Sequence, residues 1–205
     1  MLVIFENSVY LACHYQFYLQ NIFNIMKKIL IALILFANLQ SFGQVAFPNI
    51  PVDKETKLIT YDDVVDQKGV SAKELYSRAT AWYQKYFNNP TEKLRKKDDE
   101  NFTLELFVRF KLYNFDKKGV KSDASELMQY TLNIACKEGR YKYEFTKFNQ
   151  KAPSFKPSEP LLDKNDPNAE KHTVWLKQVD EEIKKTINDL EKAMATSGEK
   201  KKDDW

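Results

Sequence analysis

The chain has 205 residues, of which 43% are hydrophobic and 30% charged, and its formal net charge is +3. Its 32 basic residues are spread along the chain rather than gathered in a stripe, so the sequence lacks the basic footprint of a nucleic-acid-binding protein. With five glycines in all, it has no glycine-rich phosphate loop, and we expect no nucleotide or other cofactor.

The most informative stretch is Met26-Lys27-Lys28, followed by an apolar run from Ile29 to Leu39. Two lysines before an apolar segment of this length are typical of a secretory signal peptide. The run is shorter than the roughly 20 residues that span a bilayer as a helix. We therefore predict a signal peptide at 26–43, cleavage after Gly43, and a periplasmic or secreted product. The alternative is anchoring in the inner membrane by residues 1–43.

Residues 1–25 precede this signal and contain one charged residue, Glu6. We interpret them as an extension that results from a misplaced start codon, with translation beginning at Met26. The alternative is a genuine apolar segment that forms a membrane hairpin with the run after Lys28. In both interpretations, contact with a membrane is expected only through an uncleaved N-terminal segment.

The first elements of the predicted domain are a strand and a helix. A strand is predicted over Leu58–Val65, and Ser71-Ala72-Lys73-Glu74 is a capping box that begins a helix. Asn88-Asn89-Pro90 ends that helix. The lysine-rich segment Thr91–Lys97 is predicted to be an edge strand that its charges protect.

Three further strands are predicted to form an antiparallel meander. Apolar and polar residues alternate over 102–113 and again over 128–136, and a short strand at 141–145 follows a turn. The charged segment Asn114–Ala124 is predicted to be a loop. The meander has one apolar face, which requires a helical cover, and one polar face.

The C-terminal part is predicted to be a linker, a helix and a tail. Residues 151–169 contain Pro153, Pro157, Pro160 and Pro167 and are interpreted as a linker. Residues 170–196 have the periodicity of an amphipathic helix, and 197–205 form a charged tail. The predicted order is β-α-β-β-β-β-α. The fold class is therefore α+β, with one antiparallel sheet of about five strands covered on one face by two helices.

Three stretches resemble a known family: Phe47–Val65, with Pro51-Val52-Asp53-x-Glu55-Thr56; Gly69–Tyr83; and Cys136–Tyr143. They are similar to a family of exported bacterial domains of unknown function that have a TATA-binding-protein-like (TBP-like) fold. The resemblance supports a domain at 44–150 and implies that fold and an exported location. It implies no activity, and the fold by itself does not imply DNA binding.

Patterns of catalytic or metal-ligating residues are weak in the predicted mature chain. His172 is interpreted as a surface histidine and Cys136 as a buried thiol, and together they are too few for a zinc site. The carboxylate pairs Asp62-Asp63 and Asp98-Asp99 are interpreted as solvated charge. We therefore predict no catalytic, metal or cofactor-binding residue.

Aromatic residues provide two candidate binding sites. The first is a groove between helix and sheet, with an ordinary core as the alternative, formed by Trp82, Tyr83, Tyr86, Tyr141 and Tyr143. The second is a contact patch on the polar face of the predicted third strand, formed by Phe107, Arg109, Lys111 and Tyr113. The preferred function is a non-enzymatic envelope or secreted module that binds an envelope protein or glycan. The alternative is a cell-envelope hydrolase with unidentified carboxylate catalysts.

Overall fold

The computed structural model describes residues 25–28, 46–116, 118–151 and 153–196. The chain divides into two compact units, Met1–Gln44 and Val45–Trp205. In the first unit, residues 25–28 are helical. The predicted apolar run of the signal peptide, most of the extension 1–25 and the tail 197–205 lie outside the described residues. Within the described residues, no helix is long and apolar enough to cross a bilayer.

The second unit has the predicted α+β composition. Its elements in chain order are β1 Tyr61–Asp66, α1 Ala72–Tyr86, α2 Pro90–Lys93, β2 Leu94–Asp98, β3 Thr103–Phe115, β4 Lys121–Lys137, β5 Arg140–Lys151, β6 Phe155–Pro157, a 3-10 turn at Glu159–Leu162, and α3 Ala169–Ala195. The predicted C-terminal helix at 170–196 is α3. The predicted strand at 91–97 is divided between α2 and β2, because Pro90 favours the first turn of a helix.

In the described chain, the strands form one antiparallel sheet of six, in the order β1-β5-β4-β3-β2, with β6 also pairing with β5. The prediction of about five strands omitted β6. The predicted loop at 114–124 is also shorter in the structure, because β3 and β4 stay paired as far as Phe115 and Lys121. Asp116 closes the turn between them, since its carboxylate accepts from the N–H groups of Lys118 and Val120, both at 2.8 Å.

Two helices cover one face of this sheet, as predicted. Ser71 caps α1, because its Oγ accepts a 3.2 Å hydrogen bond from the N–H of Glu74. α1 packs against β4 and β5, and α3 packs against β3 and α1. The core between helices and sheet contains the fully buried residues Leu75, Leu106, Leu132, Phe145, Leu176 and Ile183. Since this core lies entirely within Val45–Trp205, we expect that unit to fold independently.

The segment 151–169 is part of the fold rather than the linker predicted from its prolines. The N–H of Ser158 donates to the carbonyl of Phe148 at 3.0 Å, and Leu161 is 5% exposed. A carboxylate oxygen of Glu159 accepts from the N–H of Ile59 at 3.1 Å. The side chain of Leu161 and these two hydrogen bonds therefore hold the segment against β5 and against Ile59, which precedes β1.

Candidate functional site

The predicted contact patch lies on the face of the sheet opposite the helices. Successive residues of a strand point to opposite faces, and Leu106 and Leu112 on the helix-covered face are fully buried. On the other face, Arg109 and Lys111 are exposed, whereas the two aromatic residues are partly buried. We call this set the open-face patch, which consists of Phe107, Arg109, Lys111 and Tyr113.

Arg109 is the cation of the open-face patch that contacts two aromatic rings. Its guanidinium carbon lies 5.1 Å from the ring centroid of Phe107 and 5.1 Å from that of Phe155 in β6. Its Nε donates a 3.3 Å hydrogen bond to Oε1 of Gln129. Each exposed cation–π contact is worth about 0.5–1 kcal/mol, so the two rings and the amide restrict a side chain that stays exposed.

Two more cations extend the open-face patch onto neighbouring strands. The guanidinium carbon of Arg95 lies 4.7 Å from the ring centroid of Phe107, and Nζ of Lys121 lies 3.3 Å from that of Tyr113. The surface therefore combines aromatic rings with four cations contributed by β2, β3 and β4. Such a surface is suited to a partner that carries negative charge.

Arg95 and Phe155 contact the open-face patch but were not predicted from the sequence. The register of β2 shifts between Leu94 and Lys96, so simple alternation assigns the wrong face in this strand. Phe155 lies among the prolines that suggested a linker. An aromatic residue between prolines was the one available signal that this segment packs against the sheet.

The five aromatic residues of the predicted helix–sheet groove lie in or against the hydrophobic core. Trp82 and Tyr83 are each 4% exposed, Tyr141 is 1% exposed and Tyr143 is 5% exposed. Tyr86 is partly buried against the same core. These exposures fit the alternative interpretation, an ordinary core, for Tyr83, Tyr141 and Tyr143. Trp82 and Tyr86 pack against the same core and also border the groove between the two long helices.

Polar atoms on these aromatic residues fasten α1 and the sheet to α3. Nε1 of Trp82 donates to Oδ1 of Asp189 at 2.9 Å, and the hydroxyl of Tyr143 donates to Oε1 of Glu191 at 3.2 Å. Burial, together with the nearby Glu191 carboxylate, raises the pKa of the Tyr143 hydroxyl above its usual range. The hydroxyl therefore remains a donor at neutral pH, which is the state that this contact requires.

A groove of about 1390 Å³ is present along α1 and α3, and residues of both helices line it. Charges of both signs line it, including Lys85, Asp189 and Lys192. Arg78 is held within it, since its Nε lies 3.0 Å from Oε1 of Glu74 and its Nη1 donates to the carbonyl of Met194 at 2.7 Å. Its mixed charges indicate no particular ligand.

The carboxylates singled out in the sequence serve as turn acceptors and in ion pairs. Asp98 accepts hydrogen bonds from the main-chain and side-chain nitrogens of Asn101, which hold the pKa of its carboxyl below the usual range. Asp99 accepts from Nζ of Lys97 at 2.7 Å and from the hydroxyl of Tyr76 at 2.8 Å. Asp98 and Asp99 therefore have structural roles at the β2–β3 turn.

His172 is partly buried and Cys136 is buried. The side chain of His172 is 13% exposed, rather than on the surface as predicted, and its ring stacks on Trp175 with centroids 5.9 Å apart. Burial raises the pKa of the Cys136 thiol to about 12, so the group is protonated at neutral pH. No group of three or more potential metal-ligating side chains occurs among the described residues.

Comparison with known proteins identifies the family of the sheet-forming region. Residues 61–151 match the model of DUF4468, described as a domain of unknown function with a TBP-like fold. Residues 61–151 are therefore similar in sequence to this family. The match confirms the resemblance found in the sequence, and the DUF4468 region contains β1 to β5 and the whole open-face patch.

Two crystal structures share this fold. A TBP-like protein from Parabacteroides distasonis is 14% identical, with a TM-score of 0.57, and the alignment covers 72% of this chain and 98% of that one. A DUF4468 family protein from Bacteroides ovatus is 13% identical, with a TM-score of 0.58, covering 72% of this chain and 91% of that one. No curated protein matches the chain. At these identities the likeness establishes the fold alone.

Proposed function

We propose that this chain is an exported, non-enzymatic binding module that captures a protein or glycan of the cell envelope through the open-face patch. The observation that carries the proposal is the position of Arg109, which contacts the rings of Phe107 and Phe155 on the face of the sheet opposite the helices. Exposed Arg and aromatic residues are enriched at the energetic centres of interfaces. A guanidinium that is already held by neighbouring rings also loses less conformational entropy when a partner binds it than one that rotates freely.

Export is supported by the sequence that precedes the region similar to DUF4468. Lys27 and Lys28 precede an apolar run that has the length of a signal-peptide core. The domain itself does not depend on a disulfide, because Cys136 is the one cysteine of residues 45–205 and is buried. Sequencing the N-terminus of the natural protein tests this part of the proposal. We expect it to begin at Gln44, and a product that retains residues 1–43 would contradict export by cleavage.

The binding role is tested by capture from an envelope extract of the producing organism on immobilised residues 45–205. We expect a discrete partner to be retained by the unaltered domain and lost with Arg109→Ala or Phe107→Ala. Lys142→Ala is the matched control, because Lys142 is a cation on β5 outside the patch, paired with Asp62 at 3.2 Å. Thermal unfolding of each variant establishes that the fold is intact.

Two outcomes would contradict the proposal. One is equal retention of the partner by the unaltered domain and by Arg109→Ala. The other is turnover of envelope polymers by the purified domain, which would favour the hydrolase hypothesis.

A further inference from the structure

The open-face patch also lies along an edge of the sheet. β2 pairs with β3 over Leu94–Asp98, opposite Thr103–Leu106. Beyond Leu106, no strand of the described chain pairs with this side of β3. The C-terminal half of β3 is therefore an edge strand, although β2 is the last strand in the order of the sheet.

The hydrogen-bond pattern shows which main-chain groups face this edge. The N–H of Cys136 on β4 donates to the carbonyl of Phe102 at 3.0 Å. In antiparallel pairs, residues that exchange hydrogen bonds alternate with residues that do not. The even-numbered residues of β3 therefore bond to β4, and the main-chain groups of odd-numbered residues point outward.

Tyr113 shows the outward direction directly. Its N–H donates to Oε1 of Gln178 and its carbonyl accepts from Nε2 of Gln178, both at 2.9 Å. Between this contact and the end of the β2 pairing, the outward-facing residues include Arg109 and Lys111. Among the described residues, neither has a main-chain partner on the outer side of β3. Both side chains are exposed, so the edge is accessible.

We infer that this edge receives an extended segment of a partner protein as an added antiparallel strand opposite Arg109–Lys111. The inference rests on the binding role proposed above and specifies the partner as a protein rather than a glycan. Outward N–H and C=O groups at strand spacing match the alternating donors and acceptors of a peptide main chain. A glycan has no such regular alternation.

The two faces of the added strand meet different surroundings. Side chains opposite Arg109 and Lys111 lie on the open face, where cross-strand pairs of opposite charge are favourable. The side chain between them lies on the helix side, at an indentation of about 340 Å³ that is lined by residues including Phe110, Gln178 and Glu182. The lining of this indentation combines the ring of Phe110 with charges of both signs, so an uncharged side chain is preferred there, and the preferred segment has acidic residues on either side of it.

Charge disfavours a second copy of this chain as the occupant. Antiparallel pairing of two copies centred on this edge would place Arg109 of each copy opposite Lys111 of the other. Like charges directly opposite each other destabilise a strand pair. An acidic segment of another protein removes this repulsion.

The test uses residues 45–205 and the blocked peptide acetyl-Glu-Val-Glu-Val-Glu-amide, with binding followed by amide chemical shifts. We expect saturable shifts at the amides of Arg109 and Lys111. N-methylation of the glutamate amides, which face β3, should weaken binding about tenfold, since one or two hydrogen bonds are lost. N-methylation of the valine amides is the matched control, because these point away from β3 and should leave the affinity unchanged.

Three results would overturn the inference. They are no saturable shift at Arg109 and Lys111, equal affinities for the two methylated peptides, and a dimer that protects the Lys111 amide without peptide. These are separable from failure of the binding role itself. If Arg109→Ala abolishes partner capture while the methylated peptides behave alike, the open face binds the partner and the strand edge does not.

Discussion

The side-chain amide of Gln178 makes the two hydrogen bonds with the main chain of Tyr113 that a residue on a neighbouring strand would make. Gln178 lies on α3, so a helix closes the end of an edge strand that β2 is too short to cover. An uncapped edge is a template for pairing with other chains. The accessible edge of β3 therefore lies between Leu106, where the pairing with β2 ends, and Tyr113, which Gln178 contacts.

Gln178→Ala should release this end of the edge. We expect a loss of about 1–3 kcal/mol in the free energy of unfolding, because the two hydrogen bonds to Tyr113 are removed, each worth about 0.5–1.5 kcal/mol. Hydrogen exchange at the Tyr113 amide should become faster, and the five-residue peptide should bind more tightly. Lys177→Ala, at an exposed neighbouring position, is the control. An unchanged rate of hydrogen exchange at the Tyr113 amide would show that the side chain of Gln178 does not protect this edge.

Trp82→Phe should weaken the attachment of α1 to α3. The substitution keeps an aromatic ring but removes the Nε1 donor to Asp189, whose carboxylate lies 2.9 Å away. Hydrogen bonds to charged groups contribute about 1.5–3 kcal/mol, so we expect a loss of that order in urea denaturation. In an Asp189→Asn background the same substitution should lower the free energy of unfolding by a smaller amount. Additive losses in the double mutant would contradict direct coupling of the two side chains.

Stability should fall in acid because of carboxylates that close turns. Hydrogen bonds, chiefly from the main-chain N–H groups of Thr56 and Asn101 respectively, hold the pKa values of Asp53 and Asp98 below the usual 3.8. A depressed folded-state pKa contributes stability above the unfolded value, which is lost as pH falls through the folded one. We expect a constant urea midpoint from pH 7 to 5 and a decrease below about pH 4. In Asp98→Asn this decrease should be smaller, and an identical decrease would exclude Asp98 as a cause.

Cys136 should be unreactive in the native domain. Burial raises the pKa of its thiol to about 12, and only the thiolate reacts with disulfide reagents. At pH 8 we expect labelling of residues 45–205 to be about 1000-fold slower in buffer than in guanidinium, because the thiolate fraction falls by that factor. The raised pKa also contributes stability that is complete below pH 9 and is lost as pH rises from 9 to about 12. Rapid native labelling would show that the strand around Cys136 opens readily.

Local periodicity was sufficient to predict the central strands and both long helices, because each has one buried and one exposed side. It failed where tertiary contacts override local pattern. Pro153 and Pro157 suggested a linker, yet Phe155 pairs opposite Lys151 and contacts Arg109. Likewise, the patch on β3 follows from alternation alone. The unpaired edge beside it depends on how far β2 extends, which no local signal encodes.

The central claim is that the partner contacts the open-face patch of β3, and site-specific cross-linking tests it most directly. A photo-reactive amino acid would be placed at position 111, within the patch, or at position 64, which is also exposed on this sheet but lies on β1 at its far edge. After irradiation of the producing cells, we predict a discrete adduct from position 111 and none from position 64. Adducts of equal yield at both positions, or an adduct at position 64 alone, would contradict the claim.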